Sequence, residues 1–408
     1  MIIKGSAFVN GDINQCYIGI EDGKIDFVKK SLKTTEPVKK FEGVILPGGI
    51  DIHVHFREPG MTHKEDFYTG SLSAAFGGIT TYADMPNTKP PTDSVERLKE
   101  KIKLAKDKSV VDFAIYGLLN ENSEEMLEHT NMFKVYMSSS TQINSSDFEE
   151  GLNAVYDRGG KVAFHCEKED LFGPLGNNLI EHNNEHRPPE SEIKAIKSLS
   201  NYRDGDKHVC HISTKDGLSE AKQRGYSTEV TPHHIYLNQE VLLDSFGKVN
   251  PPLRGQIDQM SMWESYEREE IDIVASDHAP HTKGEKRDFQ DAPSGIPGVE
   301  TMYPLLLNSV AVGEISLSTV VKTIAENPGK RLGVNKGKIE VGYDADLINI
   351  DFRNIEEIDV GKLHSKAGWS PFEGFNGIFP RNVISNGQLI IEEREFVGSK
   401  GRGKYIYE

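Results

Sequence analysis

The sequence has few cysteines, no long apolar run and no excess of positive charge. Its 408 residues include three cysteines, Cys16, Cys166 and Cys210. An odd, sparse set gives no disulfide framework and predicts a reducing, cytoplasmic environment. The N-terminus lacks a signal-peptide pattern, and no apolar stretch approaches the length of a membrane span. These absences argue against a disulfide-stapled secreted domain and against an integral membrane protein.

The net charge of the chain is strongly negative. Its formal value of −16 at pH 7 disfavours nucleic acids and anionic membranes as general partners, because both would be repelled. A small-molecule partner is compatible with this charge. If that molecule were an anion, it would need a locally positive pocket.

The ends and the middle of the chain have different textures. Residues 1–48 and 338–408 read as short strands separated by turns. The length of the chain predicts one large domain with a smaller one. We therefore predict that both tails build one small β-sandwich domain around a catalytic domain at residues 49–337.

The middle of the chain alternates strand-like and helix-like segments. The strand candidates are 51–55, 78–84, 110–116, 132–137, 161–165, 207–211, 227–230 and 271–276. About eight such units predict an α/β fold of the TIM-like (β/α)8 barrel type. A doubly wound open sheet is the alternative. It would place a glycine-rich phosphate loop after the first strand, and residues 56–60 do not form one.

A histidine pair ends the first of these strands. His53 and His55 are two residues apart on a strand, where side chains alternate between faces, so both point to the same side with Cα atoms about 6.6 Å apart. Two imidazoles at that spacing can bind one metal ion. A single buried histidine is more often a core residue, and the other ligands decide between the interpretations. Arg57 follows with the same parity and could bind an anionic substrate.

Further polar residues lie at the ends of later strands, where barrel enzymes place their chemistry. His165 ends the fifth strand, His211 the sixth and Asp277 the eighth. With His53 and His55, this set is difficult to explain as packing. Cys166 and Cys210 adjoin two of these histidines. Alternation turns both cysteines towards the helical layer, which predicts packing roles.

Lys134 is the unusual residue of the fourth strand. With a period of two it faces the side opposite Phe133 and Val135, which is the barrel interior. A buried ammonium is costly unless it is paired or neutralised. A neutral lysine can react with carbon dioxide to give an anionic carbamate that bridges two metal ions. A lysine that reaches the rim or pairs with a carboxylate is the alternative, and the residues alone leave both open.

Ordered motifs along nearly the whole chain resemble the amidohydrolase superfamily, and within it the dihydroorotases of the long bacterial type. The resemblance rests on residues 51–60, 85–88, 133–137, 165–167, 211–214, 249–254, 275–281 and 342–347. Each motif is only moderately specific. Their order is the stronger evidence.

The resemblance implies roles for individual residues. His53, His55 and Asp277 would hold one zinc ion, His165 and His211 a second, and carboxylated Lys134 would bridge them together with a water or hydroxide. Asp277 would also be the catalytic base and acid. The substrate would contact His55, Arg57, Asn87, Asn250, His281, Ser294 and Gly295.

The reaction implied is the reversible cyclisation of N-carbamoyl-L-aspartate to (S)-dihydroorotate in pyrimidine biosynthesis. Other cyclic amidases, namely dihydropyrimidinase, hydantoinase and allantoinase, are the alternatives, and Arg57 with His281 favours dihydroorotase. A non-catalytic scaffold for aspartate carbamoyltransferase is disfavoured because every ligand is present. A homodimer is expected, and association with aspartate carbamoyltransferase is implied only by the resemblance.

Overall fold

The computed structural model describes residues 1–138 and 145–408. The strands are β1 Ile2–Val9, β2 Asp12–Glu21, β3 Lys24–Lys29, β4 Val38–Pro47, β5 Gly49–Val54, β6 Ile79–Asp84, β7 Asp112–Ile115, β8 Gly117–Leu118, β9 Met132–Tyr136, β10 Lys161–His165, β11 Lys207–Val209, β12 Ser227–Val230, β13 Ile273–Val274, β14 Leu347–Ile350, β15 Glu356–Glu357, β16 Asn376–Gly377, β17 Asn382–Ser385, β18 Gln388–Glu392 and β19 Glu395–Phe396. The helices are α1 Phe67–Phe76, α2 Val95–Lys108, α3 Ser123–Met126, α4 Ser145–Asp157, α5 Leu179–Glu181, α6 Pro189–Ser198, α7 Lys215–Gln223, α8 Pro232–Tyr236, α9 Gln256–Glu267, α10 Met302–Ala311, α11 Leu317–Val321 and α12 Asn327–Leu332.

Both tails of the chain contribute to one mixed sheet. Its order in the described residues is β19-β18-β17-β14-β4-β1-β2-β3. The N-terminal and C-terminal halves join where β4 pairs antiparallel with β14, with Leu46 opposite Ile348. Residues of both halves, including Ile18 and Leu347, share an apolar cluster. The prediction that the tails build one β unit is confirmed, and the boundaries at 48 and 338 stay a prediction.

The middle of the chain forms the predicted parallel barrel. Strands β5, β6 and β7 pair in sequence, and β8 to β13 continue the sheet. Only Tyr116 separates β7 from β8, so the two act as one barrel strand. A parallel bridge between Val54 and His278 closes the ring, supported by a 2.8 Å hydrogen bond from His55 N to the His278 carbonyl. This confirms the predicted (β/α)8 class.

Helix α2 shows how the sequence covers the barrel. Ser94 caps its N-terminus by accepting a hydrogen bond from Arg97 N. Leu98, Ile102 and Ala105 follow at spacings of four and three residues, so they lie on one face, and that face is buried. The parallel strands beneath such helices are buried on both sides, which explains their continuous apolar runs.

A change of register in β5 positions the first histidine pair. Ile50 and Ile52 belong to the apolar cluster inside the barrel, whereas Val54 packs in the cluster between strands and helices. Strict alternation would put Val54 on the same side as Ile50 and Ile52. The pairing of β5 with β6 shifts between Asp51 and Val54, and this irregularity turns His53 to the inside.

The C-terminal residues return to the barrel after the sheet. Tyr405 forms a parallel bridge with Phe113 of β7, and Ile406 N donates to the Phe113 carbonyl at 3.0 Å. The last segment of the chain therefore packs against the barrel. Within the two described ranges, no helix combines the length and apolar composition needed to cross a membrane.

Candidate metal centre and substrate pocket

The predicted ligands lie together at the C-terminal ends of the barrel strands. Three of the residues that follow these ends have left-handed backbone angles, namely Arg57 (φ 62°), His211 (φ 36°) and Asp277 (φ 46°). This region is strained for residues other than glycine and is concentrated at functional sites. At these three residues the left-handed backbone turns the side chains towards the inside of the barrel mouth, beyond the ends of the regular strands.

The first cluster consists of His53, His55 and Asp277. The Nε2 atoms of His53 and His55 lie 3.3 and 3.0 Å from Asp277 Oδ1. One ligand atom from each residue lies within 4.8 Å of the others, and all three residues are buried. This is the composition of a metal site with one carboxylate and two imidazoles.

The protons around His53 indicate that a cation belongs there. Burial, ahead of the charge of Lys134, lowers the pKa of His53 to about 4. The ring is therefore neutral at pH 7 and carries one N–H proton. Nδ1 can donate that proton to Glu229 Oε1 at 2.5 Å. The Nε2 lone pair then faces Asp277 Oδ1 at 3.3 Å, and a metal ion could bind both atoms.

The second cluster joins His165 and His211. His165 Nδ1 lies 3.0 Å from His211 Nε2. The other ring nitrogen of His165 donates to Glu167 Oε2 at 2.8 Å, so the Nδ1 lone pair is left for a ligand role. His211 Nδ1 is buried and has no hydrogen-bond partner among the described residues. This donor set fits a second metal ion.

Lys134 lies in the barrel interior, with its Nζ 2.8 Å from Cys210 Sγ. Its side chain is fully buried, and its charge contributes, after burial, to the lowered pKa values of His53 and His211. Within the described part of the chain it has no carboxylate partner at ion-pair distance. Among the described residues it therefore neither reaches the rim nor pairs with a barrel carboxylate, and the carbamate stays a prediction.

The prediction for Cys210 is wrong. Its thiol lies 2.8 Å from Lys134 Nζ, inside the barrel, and not against the helices. Strand β11 ends at Val209, and the left-handed angle of His211 lets both Cys210 and His211 turn inward. Cys166 does pack in the apolar layer between strands and helices, as predicted.

Glu229 is a site residue that the sequence did not reveal. It lies on β12, and its Oε1 binds His53 Nδ1 while its Oε2 lies 2.9 Å from His208 Nε2. Oε1 also accepts a hydrogen bond of 3.2 Å from His211 N. This carboxylate fixes the orientation and tautomer of His53 and supports the turn of His211. The only sequence signal was an acidic residue at an inward position of a buried strand.

Replacing Glu229 with glutamine should weaken metal binding. The amide keeps the shape but loses the charge that holds the His53 proton, so we expect metal affinity to fall about 10- to 100-fold. Competition with a chelator, followed by metal analysis, measures this. Glu192→Gln is the matched control, because Glu192 is equally buried but binds Ser213 and Thr214. Equal metal affinity in both variants would contradict the role of Glu229.

A cavity of about 180 Å³ opens beside the two clusters of candidate ligands. Its lining includes the predicted residues His53, His55, Arg57, Asn87, His165, His211, Asn250, Asp277, Ser294 and Gly295. Asn250 Oδ1 is buried without a hydrogen-bond partner among the described residues, so it can accept an N–H from a ligand. Lys134 and His281 lie just outside this lining, Lys134 inside the barrel and His281 behind Arg57.

Five further residues line the cavity without having been predicted as site residues, namely Tyr136, Ser138, Arg187, Val249 and Ala279. Tyr136 shares the parity of Lys134 on β9, which was a usable signal. Arg187 lies on the segment before α6, and its Nη1 binds Glu167 Oε2 at 2.5 Å. No local pattern identified Arg187, because its place in the site depends on how that segment crosses the barrel mouth.

Arg57 is a buried cation facing the cavity. Only 7% of the surface of this residue is exposed, and burial lowers the pKa of its guanidinium. Its Nε donates to the Pro280 carbonyl at 3.2 Å, and its Nη2 lies 3.0 Å from His281 Nε2. No carboxylate of the described residues pairs with it. A buried guanidinium without an anion indicates that the anion comes from a ligand.

Comparison of the sequence with known families identifies one match over most of its length. Residues 44–390 match the amidohydrolase family. A dihydroorotase of Methanosarcina acetivorans is 39% identical, over 98% of this chain and 93% of that protein. A dihydroorotase of Thermoplasma acidophilum is also 39% identical, over 96% of this chain and 95% of its own.

Solved structures with the same fold carry related names. An L-hydantoinase (dihydropyrimidinase) from Arthrobacter aurescens has a TM-score of 0.90 at 26% identity, covering 99% of this chain and 98% of its own. A dihydropyrimidinase from Brevibacillus agri has a TM-score of 0.89 at 26% identity, covering 100% and 98%. The resemblance inferred from the motifs is confirmed.

Proposed function

We propose that this chain, which belongs to the amidohydrolase family, is a dihydroorotase that interconverts N-carbamoyl-L-aspartate and (S)-dihydroorotate. The relatives named above support a cyclic amide hydrolase of this specificity. The observation that carries the proposal in the structure is Arg57, a buried cation beside the two clusters of candidate ligands, with no carboxylate at ion-pair distance among the described residues. Dihydroorotate carries a carboxylate on the same ring as a hydrolysable amide.

The cofactor is proposed to be two zinc ions. His53, His55 and Asp277 would hold one, His165 and His211 the other, and carboxylated Lys134 would bridge them. Metal bound by such ligands supplies water that ionises near neutral pH and polarises a carbonyl oxygen. The lone pairs that face each other at His53 and Asp277 support this assignment.

The protein residues have separate tasks in the ring-opening direction. Water adds to the ring carbonyl carbon, the C–N amide bond breaks, and the nitrogen leaves with a proton. Asp277 would accept the proton of the attacking water and deliver it to that nitrogen. Asn250 Oδ1 would accept a ring N–H, which holds the amide edge in place.

The carboxylate of the substrate would bind at Arg57 and Asn87, which also line the cavity. Arg57 can form a bidentate pair with it. Asn87 Oδ1 lies 2.6 Å from His55 Nδ1, so its amide N–H groups remain to donate to the carboxylate. His281 lies behind Arg57, and Ser294 and Gly295 border the ring. Together these contacts select an anionic ring over a neutral one.

A substrate panel tests the proposal. The purified protein should hydrolyse dihydroorotate and leave dihydrouracil, hydantoin and allantoin nearly untouched. The structural likeness to hydantoinases makes these neutral rings the relevant competitors. Faster turnover of a neutral ring would replace dihydroorotase with a hydantoinase-like function. No turnover of any ring by a metal-loaded protein would favour the scaffold alternative.

Replacing Arg57 with lysine should separate substrate binding from metal binding. Lysine keeps the charge but loses the bidentate geometry, so we expect KM for dihydroorotate to rise about 10- to 100-fold. Metal content should stay unchanged, because Arg57 is not a ligand. Steady-state kinetics and metal analysis measure both quantities, with the exposed Arg97→Lys as control. Loss of metal in Arg57→Lys would refute the assigned role.

Assembly and location stay predictions. A homodimer can be tested by sedimentation, and association with aspartate carbamoyltransferase by co-purification with that enzyme. A cytoplasmic location is expected from the cysteine content.

A further inference from the structure

Two cations approach the same imidazole beside the substrate pocket. Lys64 Nζ lies 3.0 Å from His281 Nδ1, and Arg57 Nη2 lies 3.0 Å from His281 Nε2. Burial, followed by the charges of Arg57 and Lys64, lowers the pKa of His281 to about 2. The ring is therefore neutral and has one N–H and one lone pair. It can accept a hydrogen bond from only one of the two cations.

Lys64 is held in place beside the Nδ1 atom of His281 by a second contact, an ion pair with Glu285. Its side chain is mostly buried, with 9% of the residue exposed, and its Nζ forms an ion pair of 2.8 Å with Glu285 Oε1. Glu285 is itself fixed, because its Oε2 accepts hydrogen bonds of 3.0 Å from both Thr282 N and Thr282 Oγ1. An ammonium has donors only, so a hydrogen bond between Lys64 and His281 needs the lone pair on Nδ1. Arg57 is also a donor only, and the acceptor beside Nε2, the Ser294 carbonyl, decides between the two cations in favour of Lys64.

The proton then belongs on Nε2. The Ser294 carbonyl lies 3.1 Å from Nε2 and can accept this proton. Because a protonated Nε2 cannot accept from Arg57, the Nη2 donors of Arg57 have no acceptor on His281. The guanidinium is therefore left with donors for a ligand in the cavity.

We propose that Lys64 is a positioning residue that fixes His281 as the Nε2–H tautomer and thereby keeps Arg57 available for the substrate carboxylate. This inference rests on the proposed function for the identity of that carboxylate. Lys64 does not touch the cavity. It acts through His281, whose Nε2 lies 3.0 Å from Arg57 Nη2 and 3.1 Å from the Ser294 carbonyl.

Loss of Lys64 has a specific consequence for the ring. In Lys64→Met the remaining cation is Arg57, so the lone pair is expected to move to Nε2 and the proton to Nδ1. Arg57 would then donate to His281 and would be partly withdrawn from the substrate. KM for dihydroorotate should rise about tenfold, the effect of one charge-assisted hydrogen bond, with kcat changed less than about threefold.

Nitrogen-15 spectra of histidine-labelled, metal-loaded protein test the tautomer directly. The His281 signals are assigned by their absence in His281→Asn. In the unmodified protein Nδ1 should resonate as a pyridine-like nitrogen and Nε2 as a pyrrole-like one. In Lys64→Met the two should exchange character, and in Lys64→Arg, which retains a donor, they should not.

The controls separate this role from mere stability. Lys207→Met removes another buried lysine, one that binds the Leu199 and Tyr202 carbonyls, and it should alter neither KM nor the His281 spectrum. A pyrrole-like Nδ1 in the unmodified protein would overturn the inference without any variant having to fold. An unchanged KM in a folded Lys64→Met would do the same. If no dihydroorotate is hydrolysed but the spectra agree, the proposed function fails and the tautomer assignment stands.

Discussion

Replacing Lys134 with arginine is expected to reduce hydrolysis of dihydroorotate by at least about 10³-fold, because metal activation contributes several kcal/mol to such reactions. A carbamate forms when the lone pair of neutral Nζ bonds to carbon dioxide and an N–H proton leaves to solvent. Arginine stays protonated and cannot do this. It would also place a permanent cation near His53. Metal content should fall from two ions per chain to one or none.

The Lys134 prediction needs a readout that activity alone does not give. Carbon-13 bicarbonate should produce a carbamate signal in the unmodified protein, and the signal should be absent in Lys134→Arg. Lys207→Arg is the matched control, since Lys207 is also a buried lysine on a barrel strand. It should keep metals and activity. If Lys134→Arg retains both metals and full turnover, Lys134 is an ordinary interior lysine.

Replacing Asp277 with asparagine should lower kcat for dihydroorotate about 10²- to 10⁴-fold, the usual contribution of a positioned acid or base. Asparagine retains an oxygen of the same shape but cannot carry the proton from water to the leaving nitrogen. KM should change little, because the proposed contacts to the substrate carboxylate come from Arg57 and Asn87 and not from Asp277.

The control for Asp277 is a neighbouring aspartate. Asp272 precedes β13 and binds Thr228, away from the cavity, so Asp272→Asn should leave kcat unchanged. Metal analysis of Asp277→Asn is needed beside the kinetics, because Asp277 is also a proposed ligand. A variant with full metal content and normal kcat would remove Asp277 from the proton-transfer role.

The barrel and the meeting of most candidate ligands at one mouth were predictable, because both follow from local rules. Apolar runs of strand length alternate with amphipathic helices along the middle of the chain, and that alternation specifies a parallel barrel. Polar residues at the ends of such strands must converge at one mouth. His53, His55, His165, His211 and Asp277 were identified in this way, and the cavity brings them together.

The prediction for Cys210 failed because regular strand geometry ends before that residue. Alternation applied to Cys210 placed it against the helices, but β11 ends one residue earlier and His211 adopts a left-handed angle. Alternation also requires a regular strand, and β5 has a register shift that only its pairing with β6 reveals. Neither feature has a signal in the local sequence.

The sequence by itself determined the barrel, the β unit built from both tails, the inward direction of Lys134 and the family. These depend on periodicity and on residue types at strand ends. Only the tertiary structure decided the partners of the site residues. Glu229 meets His53 across 176 positions and Lys64 meets His281 across 217. Such contacts form because closure of the barrel brings distant strand ends together, and no local pattern encodes which side chains then face each other.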